Sequence, residues 1–352
     1  MSIGVSLARA LATPLSPTSI FAPASTPAQS VFDLSILLLA ITAAIFIIVG
    51  GLLVYAVVKY RKRKDDEGRE PAQVYGSAQV ELAWTITPVI IVLVLFLATM
   101  RAIFSIQEIP QPKDALEVTV VGHQFWWEFR YPGLNVVTAN EMHIPVGEKT
   151  FLSLLSADTD HSFWVPRLAG KVDLVPNHPN KLWIEPRETG VYLGQCAQYC
   201  GTQHAMMLLR VYVESREDFD RWVRQQGAAA RAADAAVEGR QIFERTACIN
   251  CHTVSGTSAT GRFGPDLTHL MSRDTLASGV APNTPENLRR WIQRPDAIKP
   301  GSLMPPMGLT DRELATEEDP SPVAVVGDEA RIWTAKCRNI PNRSARNVFS
   351  LL

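Results

Sequence analysis

The segment Cys196-Ala-Gln-Tyr-Cys200-Gly-Thr-Gln-His204-Ala-Met-Met207 puts two thiols, an imidazole and a thioether within twelve residues, and His161 lies upstream in DTDHSFWVP. These are soft to intermediate donors, a set that favours copper over hard cations. Two cysteines four apart on one loop can bridge two metal ions while one histidine completes each coordination sphere, which makes a dinuclear copper centre. Zinc would take Cys and His tetrahedrally and has no use for the methionine. A Cys196–Cys200 disulfide is the other option in an oxidising compartment. A second centre is written at Cys248-Ile-Asn-Cys251-His252. Cys-x-x-Cys-His is the attachment motif for c-type haem: thiols one helical turn apart form thioethers to the two vinyl groups, and the adjoining imidazole reaches the iron. A bare Cys-x-x-Cys is equally a redox or zinc motif, and the histidine narrows it.

The elements that must carry these groups follow from the rest of the chain. It has 352 residues, 34 Lys+Arg against 35 Asp+Glu, and a formal net charge of -1. That balance argues against general nucleic-acid binding, which needs a concentrated basic face. An apolar content of 47% excludes a disordered chain, and five cysteines are too few for a disulfide-stapled scaffold. Leu34 to Val58 is an uncharged run of 25 residues, about 37 Å of helix, enough to cross a bilayer core. Leu82 to Met100 is a second run, bounded by Glu81 and Arg101 and containing Pro88. Between them lie Lys59, Arg61, Lys62, Arg63, Lys64 and Arg69. The positive-inside rule puts this loop in the cytoplasm, and everything after Arg101 on the opposite side.

From Leu116 the pattern turns to short alternating stretches such as LEVTVVGHQFWWEFRYPG and ETGVYLGQC, which indicate a β-sandwich or Greek-key barrel. ESREDFDRWVRQ (214–225) reads as a short charged helix, followed by an Ala-rich tether. The chain thus divides into a poorly ordered or processed leader (1–31), a transmembrane hairpin (32–104), a β domain (105–225), a linker (226–236), a haem domain (237–314) and an atypical tail (315–352).

The Cys196–Met207 segment resembles the CuA loop of cytochrome c oxidase subunit II, and the hairpin followed by a β domain is similar to that family over residues 30 to 225. The resemblance implies an all-β, cupredoxin-like Greek-key sandwich. It implies bridging thiolates from Cys196 and Cys200, His161 and His204 each on one copper, and weak ligation by Met207 and by the carbonyl of Gln198. Met206 is expected to point elsewhere. Many members have Glu at the position of Gln198, where the carboxylate helps bind magnesium; an amide lacks that charge, so magnesium is left open. Phe125-Trp126-Trp127 resembles the segment where electrons reach the copper domain, with Trp126 as the surface aromatic and at least one ring in the core. Glu81 resembles the carboxylate at the mouth of a subunit I proton channel, and equally a plain interfacial Glu. His123, His143 and His178 match no part of the ligand set.

Gly264-Pro265-Asp266-Leu267 and Lys299-Pro-Gly-Ser-Leu-Met304-Pro-Pro resemble the class I cytochromes c, which are all-α. The resemblance implies that the Pro265 carbonyl accepts from His252 and that Met304 is the sixth ligand, with Met307 in reserve. A closing helix is expected after Leu314. Instead Pro320, Pro322 and Gly327 interrupt the chain, leaving a short amphipathic replacement at Asp328–Arg338, or a tail from a shifted frame or a truncation. Cys337 has no assigned role.

Together these readings imply subunit II of a cytochrome-c-fused haem-copper terminal oxidase in a bacterial inner membrane. Electrons would pass from haem c through CuA to subunit I, where oxygen is reduced and protons are pumped. A CuA-containing nitric oxide reductase is the alternative. Implied partners are subunits I and III and an external donor such as a cytochrome c or a quinol:cytochrome c reductase.

Overall fold

The computed structural model describes residues 16–61, 76–107, 110–228 and 237–314. Two long helices come first, α1 (Thr26–Lys59) and α2 (Ala78–Gln107), the latter unbroken through Pro88. Each holds a membrane-length apolar window, none of it buried among the described residues. A helix apolar on all sides needs lipid or partner helices around it.

Helix α1 starts inside the segment expected as a leader. The Ser25 hydroxyl caps it, accepting from Ala28 N at 3.3 Å. The residues before it are stitched to the β domain: Ala24 N donates to Arg167 O at 2.8 Å, Thr26 N to Glu185 O at 3.2 Å and Arg187 N to Ala24 O at 2.9 Å. The leader expectation for 1–31 is corrected accordingly, since residues 16–31 belong to the folded body; residues 1–15 lie outside the described residues. At the other end of the hairpin, Trp183 Nε1 donates to Ile106 O at 2.6 Å. Both membrane helices are therefore tied to the sandwich, which fixes its attitude above them.

The sandwich has two five-stranded sheets. One contains β1 (Leu116–His123), β2 (Trp126–Tyr131), β3 (Val136–Ala139), β5 (Thr150–Ser156) and β8 (Asn180–Ile184) in the order β3-β2-β1-β5-β8. The other contains β4 (Glu141–Pro145), β6 (His161–Trp164), β7 (Val172–Leu174), β9 (Gly190–Cys196) and β10 (Leu208–Glu214) in the order β4-β10-β9-β6-β7. The β1·β5 and β4·β10 pairs are parallel and the rest antiparallel. Side chains alternate faces along a strand, so Val118 and Val120 of β1 and Trp127, Phe129 and Tyr131 of β2 all enter the core. Helix α3 (Arg216–Gln226) closes one side with Phe219 and Trp222.

The haem domain holds α4 (Val237–Arg245), α5 (Cys248–Cys251), α6 (Pro285–Gln293), α7 (Pro295–Ile298) and α8 (Asp311–Leu314). It also carries a short two-stranded ribbon, β11 (Thr275–Leu276) with β12 (Ala281–Pro282), within the helical domain expected from the sequence. The ribbon exists because Ala277, Ser278 and Gly279 turn through positive φ (53°, 62° and 83°) and because it rests on the sandwich. Leu314 is buried, and Arg245 Nη2 meets Glu313 Oε1 at 2.7 Å, so the last described turn folds back on α4. The tail expectations, including Asp328–Arg338 and Cys337, lie outside the described residues.

Candidate metal centres

Sheet pairing builds the first centre. His161 opens β6 and Cys196 ends β9, on strands paired through Phe163↔Cys196. The loop from Ala197 to Met207 then brings Cys200, His204 and Met207 back over them. Cys196 Sγ lies 3.9 Å from His161 Nδ1, 3.9 Å from Cys200 Sγ and 3.1 Å from Gln198 O. Cys200 Sγ lies 3.8 Å from His204 Nδ1 and 3.9 Å from Met207 Sδ. Among the described residues, His161, Cys196 and Cys200 are the one group of three or more His, Cys, Asp or Glu donors close enough to share a metal. Met207 is fully buried against the sulfurs, whereas Met206 is half-buried.

The surrounding bonds orient these donors. His161 Nε2 donates to Asp158 Oδ1 at 2.8 Å, which leaves Nδ1 facing Cys196. Asp158 Oδ2 accepts from Gln124 N at 2.6 Å, and Gln124 Nε2 donates to Cys200 O at 2.6 Å. Burial alone would depress the His161 pKa; the bonds to Asp158 and Cys196 outweigh it and raise it. The contact between the two sulfurs, against the effect of burial and with help from His161, brings Cys196 down to about 3 and pushes Cys200 up. A bound cation must displace any proton that these sulfurs carry. Gly122 is indispensable here, since a Cβ on it would lie 2.8 Å from His161 Cδ2.

The second centre surrounds a cavity of about 250 Å³ whose walls include Cys248, Cys251, His252, Met304, Met307 and Trp291. Cys248 and Cys251 sit at the two ends of the single turn α5, and both are free thiols. His252 Nδ1 donates to Pro265 O at 2.8 Å, leaving Nε2 as the available ligand atom. Burial pushes the His252 pKa down, which keeps the ring neutral and able to ligate. A Cβ on Gly264 would lie 2.5 Å from His252 Cε1. Arg273 is buried, its Nη2 donates to Asp266 O at 2.6 Å, and its Nε has no partner. An apolar cavity with paired thiols, a neutral imidazole and an orphaned guanidinium nitrogen on its wall fits a haem bearing propionates.

The cavity is not closed by its own domain. Gln124, Phe125, Trp126, Asn140 and Gln203 of the sandwich complete its wall. Trp126 is only 9% exposed and stacks on His123 at 4.2 Å. The expectation of a surface aromatic is corrected: strand alternation turns Trp126 out of the sandwich core, and the haem domain covers it there. Trp127 and Phe125 are the core rings. Phe125 presses on the copper loop, where a Cβ on Gly201 would meet its Cζ at 3.0 Å, and its carbonyl accepts from Lys299 Nζ at 2.7 Å. Burial pushes Lys299 down to about 7, its interaction with the nearby Cys200 sulfur pulling the other way.

Three family descriptions match the chain: Cytochrome C oxidase subunit II, transmembrane domain, over residues 14–103; Cytochrome C oxidase subunit II, periplasmic domain, over 134–214; and Cytochrome c over 236–316. A cytochrome c oxidase subunit 2 of Alkalihalophilus pseudofirmus is 36% identical over 289 residues, covering 80% of this chain and 83% of that one. The chain belongs to the cytochrome c oxidase subunit II family. The subunit 2 of Bacillus subtilis is 29% identical over 304 residues, 81% of this chain and 85% of that one. The solved periplasmic domain of subunit II from Bradyrhizobium japonicum is 27% identical over 34% of this chain and 96% of that one, with a TM-score of 0.32.

As an oxidase subunit II with a fused cytochrome c, the protein crosses the membrane twice, carries its CuA-type and haem c domains outside the cytoplasm, and is where electrons enter a haem-copper terminal oxidase. Glu81 stands exposed in the first turn of α2. The histidines set aside in sequence are elsewhere: His123 pairs with Glu128 at 3.0 Å, His143 stacks between Tyr212 and Trp222, and His178 is exposed. Sequence reasoning missed Asp158, Gln124, Gly122 and Arg273. Only Asp158 had a signal, a carboxylate three residues before a ligand histidine.

Proposed function

We propose that His161 Nδ1, Cys196, Cys200, His204 Nδ1, Met207 and the Gln198 carbonyl hold the copper pair, and that Cys248, Cys251, His252 and Met304 hold haem c, with Pro265 orienting His252. When bound, the two groups supply one-electron carriers. The chain's own residues hold each set of donors nearly fixed, exclude water and fill the space between. The observation that carries this reading is the placement of Phe125, which lines the haem cavity and presses its ring on the copper loop at Gly201. Phe125 and Trp126 thus stand where electrons pass from one donor set to the other. On the far side of the copper loop, a hollow of about 590 Å³ is lined by Cys196, Ala197, His204, Trp164 and, from the α1 side, Ile20 and Val31. That hollow faces the membrane helices and suits the seat of subunit I, which would carry oxygen reduction and proton pumping. The external donor would be a c-type cytochrome or a quinol:cytochrome c reductase.

Metal and haem analysis of the full-length chain tests the ligand sets. Cys200→Ser and His161→Ala should each abolish the copper absorption and leave the covalent haem band. Cys251→Ala should weaken haem attachment and leave the copper. Full copper in both Cys200→Ser and His161→Ala would overturn the copper assignment.

A further inference from the structure

The ribbon β11–β12 and its neighbours satisfy polar groups that the sandwich buries and leaves unmet by its own atoms. Glu141, the first residue of β4, is 2% exposed. Its carboxylate accepts from Asp274 N at 3.0 Å, Thr275 N at 2.8 Å and Thr275 Oγ1 at 2.6 Å, all from the haem domain. Tyr212 Oη donates to Asp274 Oδ2 at 2.6 Å. At the ribbon tip, Leu208 N donates to Ser278 O at 3.2 Å, and Ser278 Oγ donates to Leu208 O at 3.0 Å. Leu208 follows the candidate copper ligand Met207 directly. The tip is the run in which non-glycine residues Ala277 and Ser278 take the left-handed conformation, a strained state that persists only when the surroundings hold it. A third contact joins the two ligand loops: Gln203 Nε2 donates to Lys299 O at 3.0 Å and Pro300 O at 2.9 Å.

A buried carboxylate stripped of its partners is costly. Glu141 therefore belongs to a docked pair of domains and not to a haem domain swinging on its tether. We propose that Glu141 and the 275–282 ribbon form a latch, with Glu141 the positioning residue, that holds the haem domain in one orientation with its cavity against Phe125 and Trp126. This rests on the relay described above and adds what fixes its geometry. With both groups bound, the step served would be the passage of one electron from the haem that Cys248, Cys251, His252 and Met304 would hold to the copper pair, the electron being resupplied by an external one-electron donor.

Two full-length variants test the latch from opposite sides: Glu141→Ala, and Thr275→Val, which keeps the shape and removes the hydroxyl. In each, amide hydrogen exchange at 274–278 should accelerate by about tenfold or more, as expected for a buried hydrogen bond undone. The haem-to-copper electron-transfer rate after flash reduction of the haem should fall by about tenfold or more as the docked fraction drops. Haem and copper spectra should stay unchanged, which a general loss of structure would not allow. Glu141→Gln, retaining one acceptor oxygen, should recover part of both losses. Unchanged electron transfer in both Glu141→Ala and Thr275→Val would overturn the latch, whatever the amides do. A wild-type chain that passes no electron between its centres would contradict the relay instead, and amide exchange alone would then decide the latch.

Discussion

The copper site and the haem site show two ways for a chain to prepare a metal centre. The copper donors stand on and between strands of a sandwich whose single core runs in sequence from Ala24 to Trp222. Two histidine nitrogens, two sulfurs and a thioether lie within 4 Å of one another in pairs, each set by its strand or loop. The haem site is organised around an opening. Its domain buries Ile242, Val254, Ala259, Leu276, Leu288 and Leu314 as its apolar interior, and the cavity takes the place of a core. The bonds that orient the ligand rings differ as well. A carboxylate, Asp158, holds the copper-side ring by Nε2, whereas a main-chain carbonyl, Pro265, holds the haem-side ring by Nδ1. Where the protein supplies the core, the metal is added to a finished frame; where the cofactor supplies it, folding and loading are one event.

The largest expected effect follows directly. A Cys248→Ala/Cys251→Ala chain cannot retain haem covalently, and amide protection over 237–314 should drop by about a hundredfold or more, because the cavity loses its filling. Chelating copper from the wild type should change protection of the sandwich strands by less than about threefold. Hydrogen exchange with mass spectrometry reads both. Equal losses in the two domains would break the comparison.

A matched pair of glycines sharpens it. Gly122 leans on His161 and Gly264 on His252, with an added Cβ at 2.8 Å and 2.5 Å respectively. The ladder position of Gly122, paired to Trp127 on one side and Ser156 on the other, cannot yield. Gly122→Ala should therefore lower copper affinity by about 10- to 100-fold, as for a displaced ligand support. Gly264 lies in an irregular loop, with Gly264 N on Cys251 O at 2.7 Å. Gly264→Ala should keep the haem attached and loosen the His252–Pro265 bond. The ligand then becomes less basic, and the haem potential should rise by something on the order of tens of millivolts. Copper titration and potentiometry measure the two.

Most of this was legible in the sequence wherever chemistry and spacing coincide on a short segment. Cys196 to Met207 and Cys248 to His252 carry their ligands within one loop or one turn, and the membrane runs declare themselves by length. What could not be read depends on contacts distant in sequence. Trp126 looked like a surface ring because strand alternation shows which side a residue faces and not what covers that side. The ribbon at 275–282 is too short for a periodic signal, and its reason for existing lies more than a hundred residues away at Glu141. The start of α1 was hidden because Ala24 is held by Arg167 and Arg187 and Ser25 by the Leu168 carbonyl, not by local propensity.

Charge offers the finest distinction between the two domains. Glu128, on β2 of the sandwich, accepts from His123 at 3.0 Å and from Arg130 at 2.7 Å. Burial pushes its carboxyl up, but these hydrogen bonds and charges outweigh it and bring it to about 2 from an ordinary 4.5. A carboxylate lowered on folding adds stability above pH 4.5 and loses it as the pH falls from there towards 2. Glu128→Gln removes that contribution, so the variant should be less stable than wild type at neutral pH, by about 1 kcal/mol once solvent screening is discounted. The gap should close as acid is added. Glu313 in the haem domain is also lowered, first by its bonds to Thr310 and only then by Arg245, but its side chain is open to solvent in part and Arg245 is exposed. An exposed pair is screened by water and salt, so Glu313→Gln should leave the acid-unfolding profile of the haem domain unchanged. Far-ultraviolet and haem-band melts across pH 2 to 7 separate the two transitions, and a Glu313→Gln effect as large as that of Glu128→Gln would show that the haem domain relies on its charges as much as the sandwich does.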